Sequence, residues 1–142
     1  MSPITSVVLI DDDHDDHEIF SIALKEVIPS VKCVYFDSGR DALKRLTTDG
    51  DFVPDFIFLD LNMPKLNGKE CLIEIKKLPM YSQVPVIIYS TSSHQKDIHE
   101  IMQLGADYFL TKPTRISELC DKLLDIFSID WHEVRQNAAG RG

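Results

Sequence analysis

FIFLDLN, residues Phe56–Asn62, is the most informative stretch of the sequence. Four consecutive apolar residues with no polar alternation describe a strand buried on both faces, as in a parallel sheet. The run ends on Asp60, an acid at the carboxyl end of that strand. A lone buried aspartate is costly there without partners. The same pattern opens the chain in SVVLIDDD, Ser6–Asp13, where an apolar run passes directly into three aspartates.

Working outward, Val31–Phe36 reads as a second strand, Val84–Tyr89 as a fourth and Tyr108–Leu110 as a short fifth. Pro85 must sit near the start of its strand, because it has no N–H for the ladder. Helical spacing links these runs. Ile19, Phe20, Ala23, Leu24 and Val27 mark a first helix that Pro29 stops. Ser38 caps a second, with Ala42, Leu43 and Leu46 on its apolar face and Gly50 at its end. Cys71, Leu72, Ile75 and Leu78 mark a third, and Leu78–Gln83 is a loop. Ile98, Ile101 and Met102 form a narrow stripe on a fourth, closed by Gly105 at C′. Ile116, Leu119, Cys120, Leu123, Leu124 and Phe127 form a fifth. Five strands alternating with five helices specify an α/β fold with a parallel sheet and right-handed crossovers.

At 142 residues the chain is one domain. Residues 1–128 hold the repeating pattern. Residues 129–136 extend the last helix, with Trp131 either packed on the body, the default, or a self-association anchor, and 137–142 read as a flexible tail. A net charge of −8 disfavours direct nucleic-acid binding. No apolar run is long enough to span a membrane, and the start lacks the basic region of a signal peptide. Cys33, Cys71 and Cys120 fit reduced packing residues of a cytoplasmic protein.

In such folds the ligand site lies beyond the carboxyl ends of the strands. Those ends carry Asp11-Asp12-Asp13, Asp60-Leu61-Asn62, Ser90-Thr91-Ser92 and Lys112-Pro113. Two like charges about 4 Å apart repel by about 4 kcal/mol at an effective dielectric of 20. Asp11, Asp12 and Asp60 therefore call for protonation, for Lys112 or for a divalent cation, and hard carboxylate oxygens suit Mg²⁺. A carboxylate nucleophile, a metal, a lysine and a hydroxyl donor together suggest phosphoryl chemistry. Asp13, Asp15 and Asp16 read as first-turn acids favoured by the helix dipole. A calcium loop fails, because its glycine and glutamate positions hold Asp16 and Ile22. His14 and His17 read as a solvated helix face rather than zinc ligands. The fourth helix, with His94, Lys96, Asp97, His99 and Glu100, is either a solvated face or an output surface.

VVLIDDD (Val7–Asp13), PDFIFLDLNMPKLNG (Pro54–Gly68), VPVIIYSTS (Val84–Ser92) and GADYFLTKP (Gly105–Pro113) occur in order and at matching spacing. In these blocks the chain resembles the receiver domain of two-component response regulators, including the single-domain chemotaxis type. The resemblance implies a flavodoxin-like (βα)5 doubly wound sheet of order 2-1-3-4-5. It implies Asp60 as phosphoacceptor, and Mg²⁺ (or Mn²⁺) held by Asp11, Asp12, Asp60 and the Asn62 carbonyl. It implies Ser90 and Lys112 as phosphoryl contacts, Phe109 as switch aromatic and Pro113 after a cis peptide bond. It also implies that Asn62 and Ser92 tune phosphoryl lifetime and that Gly68 opens the third helix.

The implied function is that of a stand-alone response regulator, a signalling domain rather than an enzyme. A histidine kinase or histidine phosphotransfer protein is the donor, and a partner protein reads the Ser90/Phe109 switch. A phosphorylation-independent receiver-like binding module is the alternative. A haloacid-dehalogenase-type phosphatase would need a second acid where Asn62 stands, and a flavodoxin-type binder a hydroxyl-rich phosphate loop in place of the aspartates. The family's usual switch tyrosine is Phe109 here. Tyr89 and Thr91 are bulkier than the family's usual residues, so the switch coupling departs from the pattern.

Overall fold

The computed structural model describes residues 3–63, 66–92 and 94–134. Five strands, β1 (Ser6–Ile10), β2 (Lys32–Phe36), β3 (Phe56–Leu59), β4 (Val86–Ser90) and β5 (Tyr108–Thr111), form one parallel sheet in the order β2-β1-β3-β4-β5. Five helices, α1 (His14–Val27), α2 (Gly39–Thr48), α3 (Gly68–Lys76), α4 (Gln95–Gln103) and α5 (Ile116–Phe127), connect and cover it. The expected doubly wound fold and strand order are both present.

Strand alternation divides the apolar residues into two layers. Val8, Ile10, Ile57, Leu59, Val86 and Ile88 pack with α2, α3 and α4 through Leu46, Leu72, Ile75 and Ile101. Val7, Leu9, Phe58, Ile87 and Tyr89 pack with α1 and α5 through Phe20, Leu24, Leu119, Leu123 and Ile126. The register sets Ile10 beside Leu59 and Ser90 beside Thr111, so the strand ends finish on one rim. The N-termini of α1, α2 and α3 are capped by Asp13, Ser38 and Asn67, each accepting a backbone N–H.

Several boundaries differ from the sequence reading. β2 starts at Lys32, because Val31 is still tied by its N–H to Ile28 in the preceding turn. β4 begins after Pro85, which contributes only its carbonyl, to the Ile57 N–H. Within the expected loop Leu78–Gln83, Pro79–Tyr81 form a 3-10 turn that buries Tyr81. On α5, Ile126 is buried while Leu124 is half exposed, since 119, 123 and 126 follow the 3.6-residue period more closely. α5 does not run on through Ile129. It ends at Phe127, Ser128 caps Leu124 with both its N–H and its hydroxyl, and a separate helical turn follows at 131–134. Trp131 packs edge-on against Phe56 and Tyr108 and donates its indole N–H to the Ile126 carbonyl at 3.1 Å. The tail at 137–142 and the end of the 129–136 segment lie outside the described residues. None of the helices among the described residues is long and apolar enough to cross a membrane.

Candidate functional site

The rim is assembled by ladder continuation. The Asp11 N–H bonds Phe36 of β2, the Asp60 N–H bonds Ile10 of β1, and the Lys112 N–H bonds Ser90 of β4. Each of these rim residues therefore leaves its strand with its backbone still held by the neighbouring strand. Asp11 is fully buried, Asp60 is 5% exposed and Ser90 is fully buried, whereas Asp12 is exposed. Asp11, Asp12 and Asp60 bring one carboxylate oxygen each within 4.8 Å of one another. The Asp13 N–H donates to Asp11 Oδ1 at 3.0 Å, and the Asn62 N–H lies 3.4 Å from Asp60 Oδ1.

Lys112 supplies the counter-charge. Its Nζ donates to Asp11 Oδ2 at 2.8 Å and to Asp16 Oδ2 at 2.6 Å, with Asp60 Oδ2 3.8 Å away. It also lies over the Tyr89 ring, 5.2 Å from the centroid, which gives that bulky aromatic a place in the site. Burial raises the pKa of Asp11, though the Lys112 hydrogen bond pulls against it. Burial pushes Asp60 up to about 6, with Lys112 opposing and the Asp11 and Asp12 charges adding. Burial also works against the Lys112 ammonium, but Asp11 and Asp16 overcome it and hold its pKa above the ordinary value.

The loop after β3 turns back tightly. The Gly68 N–H donates to the Leu61 carbonyl at 3.0 Å, and a Cβ on Gly68 would lie 2.3 Å from the Asp60 carbonyl oxygen. Only glycine lets α3 start this close to the backbone that carries Asp60. Ser92 donates its backbone N–H to Ser90 Oγ at 3.3 Å and its hydroxyl to Asp97 Oδ2 at 3.1 Å. Asn62 is exposed on the lip of a cleft that Ser92 and Asp97 also line. Phe109 is half-buried against the α2–α3–α4 side of the core.

One sequence reading changes and another is extended. The Lys112–Pro113 peptide is trans, as are all the described peptide bonds. Trans is the lower-energy X–Pro form by about 0.5–1 kcal/mol, and Lys112 reaches Asp11 from it. Asp16 is a first-turn acid of α1, as expected, and beyond that role it points back to the rim and binds Lys112. Its signal was positional: it follows the Asp13 cap by three residues, and helical side chains lean toward the N-terminus. Asp13 and Asp15 keep the simpler role at the start of α1. His17 is hydrogen-bonded to the Asp11 carbonyl and its ring stacks on His14 and Tyr35. Among the described residues Asp11, Asp12 and Asp60 are the group placed to share a metal ion. Three hard carboxylates, two of them buried, fit Mg²⁺ or Mn²⁺.

The model of the response regulator receiver domain matches residues 7–124, and the chain belongs to this family of two-component signalling domains. The response regulator Rcp1 of Synechocystis sp. is 29% identical over 122 residues, which cover 83% of each chain. The two-component response regulator ARR15 of Arabidopsis thaliana is 32% identical over 126 residues, covering 83% of this chain and 60% of that protein. Among solved structures, the phosphorylated cyanobacterial phytochrome response regulator RcpA matches with a TM-score of 0.78 at 30% identity, covering 87% of this chain and 91% of that one. The Mn²⁺-bound form of Rcp1 matches with a TM-score of 0.75 at 28% identity, covering 89% and 94%. Receiver domains are phosphorylated by histidine kinases or phosphotransfer proteins and hold Mg²⁺ or Mn²⁺ at an acidic pocket.

Proposed function

We propose that this chain is a response regulator that accepts a phosphoryl group on Asp60 from a phosphohistidine of a kinase or phosphotransfer protein, in the cytoplasm, and signals by binding a partner protein. The observation that carries the reading is the convergence of Asp11, Asp12 and Asp60 beside the buried Lys112 ammonium. Asp11, Asp12, Asp60 and the Asn62 carbonyl would hold Mg²⁺ or Mn²⁺, which supplies charge neutralisation for phosphoryl oxygens.

A deprotonated Asp60 oxygen attacks phosphorus in line. The new O–P bond forms as the P–N bond breaks, and that electron pair returns to the imidazole of the donor. Lys112, 3.8 Å from Asp60, is within a small movement of an oxygen of the transferred group. Ser90 turns its hydroxyl toward that group, and Phe109 moves into the space released. This biases a two-state equilibrium at the surface of α4, β5 and α5. Water attack on phosphorus then returns the Asp60 carboxylate and inorganic phosphate, at a rate set partly by Asn62 and Ser92. Residues 1–128 are the unit that does this, and the net charge of −8 supports a protein partner rather than nucleic acid.

The test is incubation with Mg²⁺ and acetyl phosphate, read by intact mass. The parent protein is expected to gain one phosphoryl group and Asp60→Asn none. No gain in the parent, or equal gain in the variant, refutes the reading.

A further inference from the structure

Asp16 is the carboxylate closest to Lys112, at 2.6 Å against 2.8 Å for Asp11 and 3.8 Å for Asp60. An ammonium has three N–H donors, and these three carboxylates surround this one. Two of them, Asp11 and Asp60, belong with Asp12 to the group placed to share a metal ion. Asp16 stands outside that group. It alone keeps its oxygens for the lysine when a divalent ion draws on the others. Its side chain is 23% exposed and that of Lys112 9%, so solvent and salt screen the pair poorly.

We infer that Asp16 is a positioning residue: it shares the Lys112 ammonium with Asp11 Oδ2 and holds it off Asp60, leaving Asp60 and the other oxygen of Asp11 to a divalent cation, and keeps it beside the group carried by Asp60. The inference rests on the reading of Asp11, Asp12 and Asp60 as the metal site and Asp60 as acceptor.

Without Asp16, Lys112 has only Asp11 and Asp60 as partners among these acids. It then settles between them, where it competes with a metal ion for the same oxygens. Asp16 thus relieves a conflict built into a site that needs both a lysine and a divalent cation. The plainer account is that Asp16 only adds negative charge to the field around the site. The field acts whether or not Lys112 is present, and positioning acts only through it.

The experiment is calorimetric titration of Mg²⁺ into the parent protein, Asp16→Asn, Lys112→Met and the double variant. Asp16→Asn is expected to weaken Mg²⁺ binding about threefold to tenfold in the parent and by less than about twofold in the Lys112→Met background. Equal weakening in both backgrounds leaves only the field and overturns the inference, as does no weakening in the parent.

Lys112→Met strips the buried Asp11 of its counter-ion and can unfold the chain, so a second measurement uses Asp16→Asn alone. Trace acetylation of Lys112, scored by peptide mass against the exposed Lys122, is compared with and without saturating Mg²⁺. Mg²⁺ is expected to raise Lys112 labelling about threefold or more in Asp16→Asn, where nothing retains the displaced amine, and to leave it nearly unchanged in the parent. The same response in both proteins overturns the inference. If the parent binds no Mg²⁺, the metal-site reading falls and the inference with it. If the parent binds Mg²⁺ and takes a phosphoryl group while Asp16→Asn behaves like it, the inference alone falls.

Discussion

Lys112 stands 3.8 Å from Asp60, beyond hydrogen-bond reach, because its ammonium is drawn to other carboxylates. Asp60 is therefore buried with only a distant counter-charge, and its pKa is pushed up to about 6 from 3.8. An acid whose pKa is higher in the fold than in the unfolded chain binds its proton more tightly when folded. The metal-free protein thus loses stability as pH rises from about 4 to about 6, and the whole cost is present above that. At about 1.4 kcal/mol per pKa unit, that cost is about 3 kcal/mol at most. Asp60→Asn, which keeps the shape and removes the charge, is expected to stabilise the chain by about 1–3 kcal/mol near pH 7.5 in chelator and by only about a third as much near pH 4.5. Urea unfolding at the two pH values checks this, and equal effects at both would contradict it.

Asp12 differs from its neighbour in being exposed, so it can lend its carboxylate to an ion with little loss of packing. An ion that binds only the folded chain stabilises it by about 2.7 kcal/mol at a hundred times its Kd. Saturating Mg²⁺ is expected to raise Tm by about 5–10 °C, and Asp12→Ala to abolish most of that rise. Thermal scans with Mg²⁺ and with chelator measure it. A full rise in Asp12→Ala removes Asp12 from the metal set.

The fold was legible because FIFL, SVVLI and their kin carry a strong, local signal: uninterrupted apolar runs that only a doubly covered strand accommodates. The rim followed from topology, since each run ends on a polar residue. What was not legible depends on three-dimensional partners. Asp16 looked like any first-turn acid until Lys112, 96 residues away, was placed against it. Tyr81 sat in an apparent loop, yet it is buried because its hydroxyl reaches carbonyls of two distant segments. No local sequence feature fixes the Lys112–Pro113 isomer, which is trans. Ile126 and Leu124 differ only in rotation about α5, which short apolar stripes define loosely.

Tyr81 gives a test remote from the site. Its hydroxyl lies 2.8 Å from the Leu46 carbonyl and 2.9 Å from that of Phe52, tying the 3-10 turn to the end of α2 and the loop before β3. Tyr81→Phe keeps the ring and leaves those carbonyls short of a donor, at about 1–2 kcal/mol. A lower urea midpoint with phosphoryl uptake on Asp60 unchanged is expected. Unaltered stability would mean the hydroxyl contributes nothing.

Gly68 links packing to the site directly. A Cβ there would lie 2.3 Å from the Asp60 carbonyl oxygen and 2.5 Å from the Leu61 Cα, and both obstacles are backbone. Gly68→Ala must push α3 away or displace the segment carrying Asp60, at about 2–4 kcal/mol. Both the urea midpoint and the rate of labelling by acetyl phosphate are expected to fall. A variant equal to the parent in both would show that the loop gives way freely.

Ser92 commits its hydroxyl proton to Asp97 Oδ2, 3.1 Å away, which leaves its oxygen lone pairs to face a cleft of about 250 Å³ also lined by Asn62 and Asn67. Under the proposed function, a water donating to Ser92 there would keep its own oxygen free to attack a phosphoryl group on Asp60. Replacing Asp97 with asparagine offers Ser92 an amide donor, so the hydroxyl can reverse and point its proton into the cleft. One hydrogen bond of about 1 kcal/mol corresponds to about a fivefold change in rate. Asp97→Asn is therefore expected to slow loss of the phosphoryl group about threefold to tenfold, and to have no further effect once Ser92 is alanine. The decay of the intact-mass signal after donor removal reads this out. Faster decay in Asp97→Asn, or the same slowing without the Ser92 hydroxyl, would exclude the arrangement.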